Sequence, residues 1–279
     1  MLELVVVKEM ETLDELEQVR QLEQAIWSTS CTPIHQLVAF INNGGFVLGA
    51  YLNDELIGFN YSYAGFVSGE HYLYSHLFGV KREFRELGVG ELLKLYQKEQ
   101  ARSYGHSKCK WIFDPLETRN GYLNFTKLRG YATTYEANVY GQLNDDFNKK
   151  LPSDRVFVEW QLEDDDALRW YAKIEELLEE AEELVPWSFS LVGLPMLDAQ
   201  NIFDPALSYH RDAYLLPVPQ YFQKIKVESP ALAEDWRYKT RTIFETMFKQ
   251  GYAIIHLVKG QGQEAVHFYL LVKKSLFAL

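Results

Sequence analysis

The sequence has little of several features that would point to particular classes of protein. It contains two cysteines, Cys31 and Cys109, and neither lies in a CxxC pair or a Cys/His cluster, so nothing signals a metal site. Two reduced thiols are typical of a cytoplasmic protein. No apolar run approaches the roughly 20 residues of a membrane-spanning helix. The short run at 4–7 is followed at once by Lys8 and Glu9, unlike a signal peptide. We therefore expect a cytoplasmic protein with no membrane partner.

Basic residues are also scarce, with 28 Lys and Arg against 39 Asp and Glu and a formal net charge of −11. The excess is concentrated between Glu159 and Glu183, where eleven acidic residues are opposed only by Arg169 and Lys173. An acidic protein repels phosphate backbones, which argues against a nucleic-acid partner. A solvated helix face explains the acidic stretch, and a docking surface for a basic partner is the alternative.

The remaining composition, 47% hydrophobic and 24% charged, is that of a globular chain able to bury a sizeable core. Periodicity, caps and turns predict one strand, two helices, three strands, a loop, a helix, a strand, a helix and two strands in the first part of the chain. The predicted bounds are 2–8, 12–27, 33–42, 46–52, 56–66, 71–80, 88–104, 110–114, 120–128, 131–139 and 156–162. This order predicts a mixed α/β (α+β) fold around a mostly antiparallel sheet.

The last part of the chain predicts a C-terminal α/β extension without an assigned role. An acidic helix over 166–184 precedes a proline-containing, loop-rich stretch, and a helix over 229–250 precedes two strands, 252–259 and 266–273. We expect one domain over 1–163 and the extension over 164–279.

The predicted helix 88–104 should be amphipathic. Its apolar positions are expected to face the sheet and its charged positions water. The first set is Leu92, Leu93, Tyr96 and Ala101, and the second is Lys94, Lys98, Glu99 and Arg102.

The loop before this helix predicts an anion site. Its sequence is R-x-x-G-x-G, from Arg85 to Gly90, placed between a strand and a helix start. Helix N-termini carry unpaired N–H groups and partial positive charge, and glycines let a backbone approach a phosphate. A Walker A loop would need Lys-Ser/Thr where Glu91 and Leu92 stand. A dinucleotide fingerprint would need a third glycine where Leu93 stands.

With both patterns excluded, the loop in this order of elements resembles the acetyl-CoA loop of the GNAT superfamily of N-acetyltransferases. Asn120 after the fifth strand and the Leu128–Tyr131 helix end extend the resemblance. It covers roughly the first 60% of the chain, and the added tail resembles a bacterial subfamily with a C-terminal extension. The resemblance implies acetyl-CoA as co-substrate and no metal. It implies cofactor contacts at Phe78, Val80, Arg85, Glu86, Gly88, Val89, Gly90, Glu91, Asn120, Asn124 and Phe125.

The resemblance also implies direct acyl transfer to an amine, assisted by a general base. His76 is the favoured base, because imidazole titrates near neutral pH and the residue matches the second histidine of arylalkylamine acetyltransferases on this strand. Asp114 and Glu117 are alternatives for base or substrate clamp. The family's acid, a tyrosine, is replaced here by Thr126. Tyr122 and Tyr131 are nearby substitutes.

Three functions remain open from the sequence. They are a small-molecule N-acetyltransferase, a CoA-binding or regulatory module that no longer catalyses, and a protein lysine acetyltransferase that docks a basic partner. A homodimer is likewise left open. Trp27, Phe40 and Tyr63 are candidates for lining the acceptor pocket.

Overall fold

Strands and helices follow one another in nearly the predicted order in the computed structural model, which describes residues 2–27, 31–141, 151–163, 166–198, 209–261 and 265–277. The strands are β1 (Val6–Glu9), β2 (Phe46–Leu52), β3 (Glu55–Val67), β4 (Glu70–Val80), β5 (Lys108–Phe113), β6 (Tyr131–Glu136), β7 (Arg155–Gln161), β8 (Glu182–Glu183), β9 (Trp187–Phe189), β10 (Pro195–Leu197), β11 (Ala213–Pro219), β12 (Tyr252–Val258) and β13 (Val266–Lys273).

Seven α-helices lie among these strands in the described residues. They are α1 (Leu13–Trp27), α2 (Ile34–Asn42), α3 (Val89–Ser103), α4 (Thr118–Gly121), α5 (Ala167–Glu180), α6 (Phe222–Glu228) and α7 (Pro230–Lys249). A π-helical stretch, Tyr122–Lys127, continues α4 directly. None of the helices within the described ranges combines the length and apolar character needed to cross a membrane.

The first of two compact units comprises Met1–Trp111 and Glu159–Asp164. Its strands lie in the order β1-β2-β3-β4-β5; β1 to β4 are antiparallel to their neighbours, and β5 is parallel to β4. α1 and α2 cover one face. Buried side chains of the two helices, of β2 and β3, and of the segment before α1 pack in one cluster: Met10, Leu16, Val19, Leu22, Leu37, Val47, Leu56, Phe59 and Tyr61. Each such side chain contributes about 1.5–3 kcal/mol of burial free energy.

The capping box predicted at the start of α1 is confirmed. The Glu15 carboxylate accepts the Thr12 N–H at 3.0 Å, and the Glu15 N–H donates to the Thr12 hydroxyl at 3.3 Å. Two N–H groups that a helix start leaves unpaired are thereby satisfied, which fixes where α1 begins.

The predicted facing of α3 is wrong in part. Lys94 is 2% exposed and Lys98 is 9% exposed, whereas Tyr96 is 39% exposed. The two lysines lie over tryptophan rings, with the Lys94 Nζ 3.9 Å from the Trp111 centroid and the Lys98 Nζ 6.0 Å from that of Trp160. Aromatic faces attract ammonium groups, so these positions hold lysine where periodicity predicted a solvated face.

The second unit comprises Ile112–Val158 and Asp165–Leu279. Its strands lie in the order β7-β6-β12-β13-β11-β8. From β6 to β11 each strand is antiparallel to the next, and β8 is parallel to β11. The helix α7 begins after Ser229 with Pro230 at its first turn, as predicted. Its buried face carries Ala233, Trp236, Arg237, Thr240, Ile243, Phe244, Met247 and Phe248.

The strand β11 was missed because Pro217 and Pro219 argue against a central strand. Both prolines alternate with residues that bond to β13, so the proline nitrogens lie on the other edge of β11. On that edge, β8 pairs only with Tyr214 and Leu215. A proline at such a position removes no ladder hydrogen bond.

The predicted fold class is confirmed. Residues 6–161 run strand, two helices, three strands, loop, helix, strand, helix and two strands, which is the order of the GNAT acyl-CoA N-acyltransferase fold. The compact units are divided at Trp111 and at Val158, whereas the predicted domains divide at 163. The domain division therefore stays a prediction.

Candidate active site

The loop at the end of β4 has the backbone of an anion cradle. The chain leaves β4 at Val80, turns through a short 3-10 helix at Arg82–Phe84, and enters α3 at Val89. Glu86 has φ 69° and Gly88, the residue before α3, has φ 86°. Left-handed residues between right-handed or extended ones turn successive N–H groups toward the same side, a geometry that binds anions. A residue with a side chain at Gly88 would be strained at this φ, and its Cβ would lie 3.0 Å from the Leu2 Cδ2.

The Arg85 side chain and main chain both hold the loop in place. Its Nε donates to the Val80 carbonyl at 3.0 Å, and its N–H donates to the Arg82 carbonyl at 3.3 Å. The guanidinium thus ties the loop to the end of the strand. Residues 85–87 are exposed, so the cradle faces solvent. The geometry suits the diphosphate that the sequence predicts there, with the N-terminus of the 15-residue α3 adding partial positive charge.

The strand β4 extends beyond the residues that pair with β5. The parallel pairing with β5 consists of Leu73↔Cys109 and Tyr74↔Lys110. The strand runs on for six residues beyond Tyr74, to Val80. Within this run the register with β3 shifts, because Tyr61 pairs with Leu77 and Ser62 pairs with Ser75.

His76 is the residue that this β-bulge leaves without a partner on β3. A bulge re-aims its side chain and bends the strand. The imidazole is surrounded by four rings, with centroids at 5.6 Å (Tyr61), 5.6 Å (Tyr63), 6.0 Å (Tyr74) and 6.2 Å (Phe40). The His76 side chain is nevertheless exposed to solvent. Burial among the rings lowers the pKa of His76 below its ordinary value, so the neutral imidazole, which can accept a proton, predominates at neutral pH.

On the opposite side of β4, a buried polar network lies against α3. The Lys94 Nζ donates to the Ser75 hydroxyl at 2.9 Å and to the Gln97 Oε1 at 3.0 Å. The Gln97 amide donates to the Asn60 Oδ1 and the Ser62 hydroxyl, both at 2.6 Å. Burial lowers the pKa of Lys94 to about 8. The network holds Ser62 and Ser75, the two residues that face each other beside the bulge.

Sequence reasoning missed this network. Its members look like ordinary surface positions of a helix and outward positions of two strands. A signal was available in hindsight, since Lys94 and Lys98 stand four residues apart on the helix face that also carries Ala101, which is buried.

Asp114 and Glu117 lie in the second unit, each against a cation. Asp114 is 6% exposed and pairs with the Nη2 of Arg237, which is 1% exposed. Burial alone would raise the pKa of Asp114, but the Arg237 guanidinium outweighs it and holds the pKa below its ordinary value. Burial raises the pKa of Glu117, whose Oε1 accepts from the Gln223 amide at 2.6 Å and lies 3.5 Å from the Lys226 Nζ. The structure thus brings these two carboxylates together with helices α6 and α7.

The remaining predicted residues also lie in the second unit. Asn124 is 4% exposed, and Phe125 is fully buried between Phe113 and Tyr269, with centroids 5.7 Å from each. The Tyr122 ring is covered by the Lys259 Nζ at 3.9 Å. Asn120, in α4, is exposed.

Thr126, which stands where the family's tyrosine is expected, donates its hydroxyl hydrogen bond to the Leu257 carbonyl at 2.8 Å. The π-helical turn around it is closed by a hydrogen bond from the Gly130 N–H to the Asn124 carbonyl at 2.9 Å. The position therefore serves the packing of the π-helical stretch on β12.

Within the ranges that the structure covers, no group of three or more His, Cys, Asp or Glu side chains is arranged to hold a metal ion.

Comparison with known proteins finds acetyltransferases among the solved structures. One is the IAA acetyltransferase from Bacillus cereus, 14% identical, covering 56% of this chain and 99% of that chain with a TM-score of 0.44. Another is an acetyltransferase of the GNAT family from Streptococcus pneumoniae, 13% identical, covering 56% of this chain and 98% of that chain, TM-score 0.45. A third is a GNAT family acetyltransferase from Elizabethkingia anophelis with acetyl-CoA bound, 14% identical, covering 57% and 99%, TM-score 0.42.

No family model and no curated protein matches the chain. The assignment of the GNAT fold rests on the order of elements and on the loop between β4 and α3.

Proposed function

We propose that the chain is an N-acetyltransferase that moves an acetyl group from acetyl-CoA to an amine of a small molecule. One observation carries the proposal: the anion cradle and His76 lie on the same strand, at the end of β4 and at its bulge. Val80 lies four residues after His76, which corresponds to about 13 Å of extended chain. A diphosphate and a thioester joined by an extended pantetheine arm suit that arrangement.

The roles of this chain's residues follow from their positions. The loop from Arg85 to Glu91 binds the pyrophosphate through its main chain, and the Phe78 and Val80 backbone lies along the arm. His76 takes a proton from the acceptor ammonium, and its lowered pKa keeps it able to do so at neutral pH.

Acetyl-CoA supplies a thioester carbonyl as the electrophile. The neutral amine nitrogen attacks that carbon, the C–N bond forms and the C–S bond breaks. The nitrogen loses a second proton, the thiolate gains one, and one proton is released overall.

A CoA-binding module without catalysis is the second candidate. It is favoured by Thr126, which occupies the place of the family's acid and is bonded to the Leu257 carbonyl. The engagement of Asp114 and Glu117 in ion pairs removes two alternative bases and points the same way.

Two variants test the proposal. Gly90→Glu places a carboxylate in the first turn of α3, where it competes with the diphosphate. We expect loss of CoA binding by calorimetry with an unchanged melting temperature, because an acid in the first helical turn does not harm the helix. Unchanged affinity would refute the loop assignment.

His76→Ala is expected to lower acetyl transfer by 10²–10⁴-fold while CoA affinity is kept. For the wild type, the acid limb of the kcat/KM profile should lie below the ordinary histidine pKa of about 6.5, because burial lowers the pKa of His76. If none of the amines in a broad panel causes release of the CoA thiol, the result would support the module instead.

A further inference from the structure

The surface beside His76 is built from aromatic side chains, which we call the aromatic wall: Phe40, Tyr61, Tyr63 and Tyr74. Phe40 and Tyr63 stack with centroids 4.6 Å apart, and Tyr63 lies 5.3 Å from Tyr74. Phe40, Tyr63 and Tyr74 are half-buried, so each keeps part of its ring at the surface, while Tyr61 is fully buried. Several ring faces around one position attract a cation.

A buried carboxylate lies behind the aromatic wall. Glu23 of α1 is 7% exposed, and its Oε1 accepts from the Thr32 N–H at 3.0 Å and the Thr32 hydroxyl at 3.2 Å. The Thr32 hydroxyl is in turn 2.5 Å from the Tyr61 hydroxyl. The carboxylate therefore meets the hydroxyl end of Tyr61, while the ring of Tyr61 meets His76.

The second oxygen of this carboxylate, Oε2, is buried and has no hydrogen-bond partner among the described residues. A buried oxygen without a hydrogen bond destabilises the folded state, and more so when it is charged. Burial raises the pKa of Glu23, and the hydrogen bonds from Thr32 and the charge of Arg20 offset this only in part. A cationic donor at Oε2 would remove both penalties.

The distance between His76 and Glu23 limits which ligands can contact both residues. His76 and Glu23 touch opposite ends of one tyrosine, so their functional groups are about one tyrosine side chain apart. A single ammonium cannot contact both. A molecule with two amino groups on a short chain can.

We propose that the acceptor is a linear alkyl diamine, with its reacting amine at His76, its chain along the aromatic wall and its distal ammonium at Glu23. This rests on the proposed function and names its substrate class. The net charge of −11 also favours a dication over a zwitterion or an anion. The transfer is the one written above, with the distal ammonium unchanged.

The test uses three amines of equal chain length on the full chain: 1,4-diaminobutane, butylamine and 4-aminobutanoate. They differ at the distal end, which is cationic, apolar or anionic. We expect kcat/KM to fall in that order, with the diamine at least about 10-fold above butylamine. Equal values for the diamine and butylamine would overturn the proposal while leaving the transferase function standing.

Glu23→Gln keeps the shape of the side chain and removes its charge. We expect it to abolish the preference for the diamine over butylamine and to improve 4-aminobutanoate relative to both. Glu17→Gln is the matched control, because Glu17 is on the same helix and pairs with Arg20 at the surface. The preference should survive in that variant. Its loss in both variants would overturn the assignment to Glu23.

Binding measured without turnover tests the diamine site separately from the transferase function. 1,4-Diaminobutane should raise the melting temperature of the wild type more than butylamine does, and Tyr63→Leu should reduce that shift. If no amine is acetylated but the diamine shift is present, the transferase function fails and the diamine site stands. If the diamine gives no larger shift than butylamine, the site fails.

Discussion

At the scale of single residues, the ion pair between Asp114 and Arg237 is the most consequential contact of the second unit. Both side chains are almost fully buried, and the Nε and Nη1 of Arg237 have no hydrogen-bond partner among the described residues. Removing one member of a buried pair leaves an uncompensated charge, which costs more than the pair contributes. The folded state therefore tolerates the buried guanidinium of Arg237 only because the carboxylate of Asp114 is present.

Asp114→Asn should accordingly destabilise the protein by about 3–5 kcal/mol, measured as the free energy of unfolding in urea. The pKa of Asp114 is lowered in the folded state, so its contribution is present above the unfolded pKa of about 3.9 and is lost as pH falls through the lower folded value. The wild-type advantage over the variant should persist at pH 5–8.

Asp212→Asn is the control for this loss. Asp212 pairs with Lys273 at the surface, where both side chains are exposed by a third or more. That change should cost no more than about 1 kcal/mol. Equal losses in the two variants would contradict a special role for burial.

At the scale of elements, α3 combines two tasks. Its N-terminus forms the cradle, and Lys94 and Gln97, farther along it, hold the polar network beneath the bulge of β4. Burial opposes the charge on Lys94, and the network and the Trp111 ring offset this only in part.

Lys94→Met tests that balance. The pKa of Lys94 is lowered to about 8 in the folded state, so the unfolded chain binds more protons between pH 8 and about 10.4. Wild-type stability should therefore rise with pH across that window, by on the order of 3 kcal/mol, relative to the Met variant. Urea unfolding at pH 7.5 and pH 10 measures the difference. Lys249→Met, at the exposed end of α7, should show no such change.

Sequence periodicity was sufficient for the elements that have one apolar face. The helix α1 with its capping box, the meander β2–β4, the loop at Gly88 and β13 were all predicted within a few residues. It was insufficient where tertiary contacts replaced solvent. The buried lysines of α3, the prolines in β11 and the cationic partners of Asp114 depend on residues far away in the sequence.

The candidate site divides in the same way. The cradle could be predicted, because its glycine and its helix start are local in sequence. The bulge at His76 and the carboxylate of Glu23 could not, since each is defined by a partner on another element. The predicted roles of Asn120, Asn124 and Phe125 toward CoA stay predictions.

At the scale of the whole molecule, the second unit ends its sheet in a way that resists added strands. The edge strand β8 has two residues, Glu182 and Glu183, both exposed. Beyond it, Pro217 and Pro219 of β11 present no N–H groups. Short, charged and proline-bearing edges hinder pairing with another chain.

Replacing both prolines, as in Pro217→Thr with Pro219→Thr, should restore two donors on that edge. We expect faster aggregation on heating, measured by light scattering, with little change in acetyl-CoA binding. Pro230→Ala, at the first turn of α7, is the control and should not alter the aggregation rate. Aggregation unchanged in the double variant would show that the edge is protected by other means.

The contrast between the two cysteines has a practical consequence. Cys109 is fully buried in β5, and burial raises the pKa of its thiol to about 11, so it holds almost no thiolate at neutral pH. Cys31 is only half-buried and directly precedes Thr32, the residue that bonds Glu23. A thiol-reactive fluorophore should therefore attach to Cys31 selectively, which places a spectroscopic reporter beside the aromatic wall without any engineered residue.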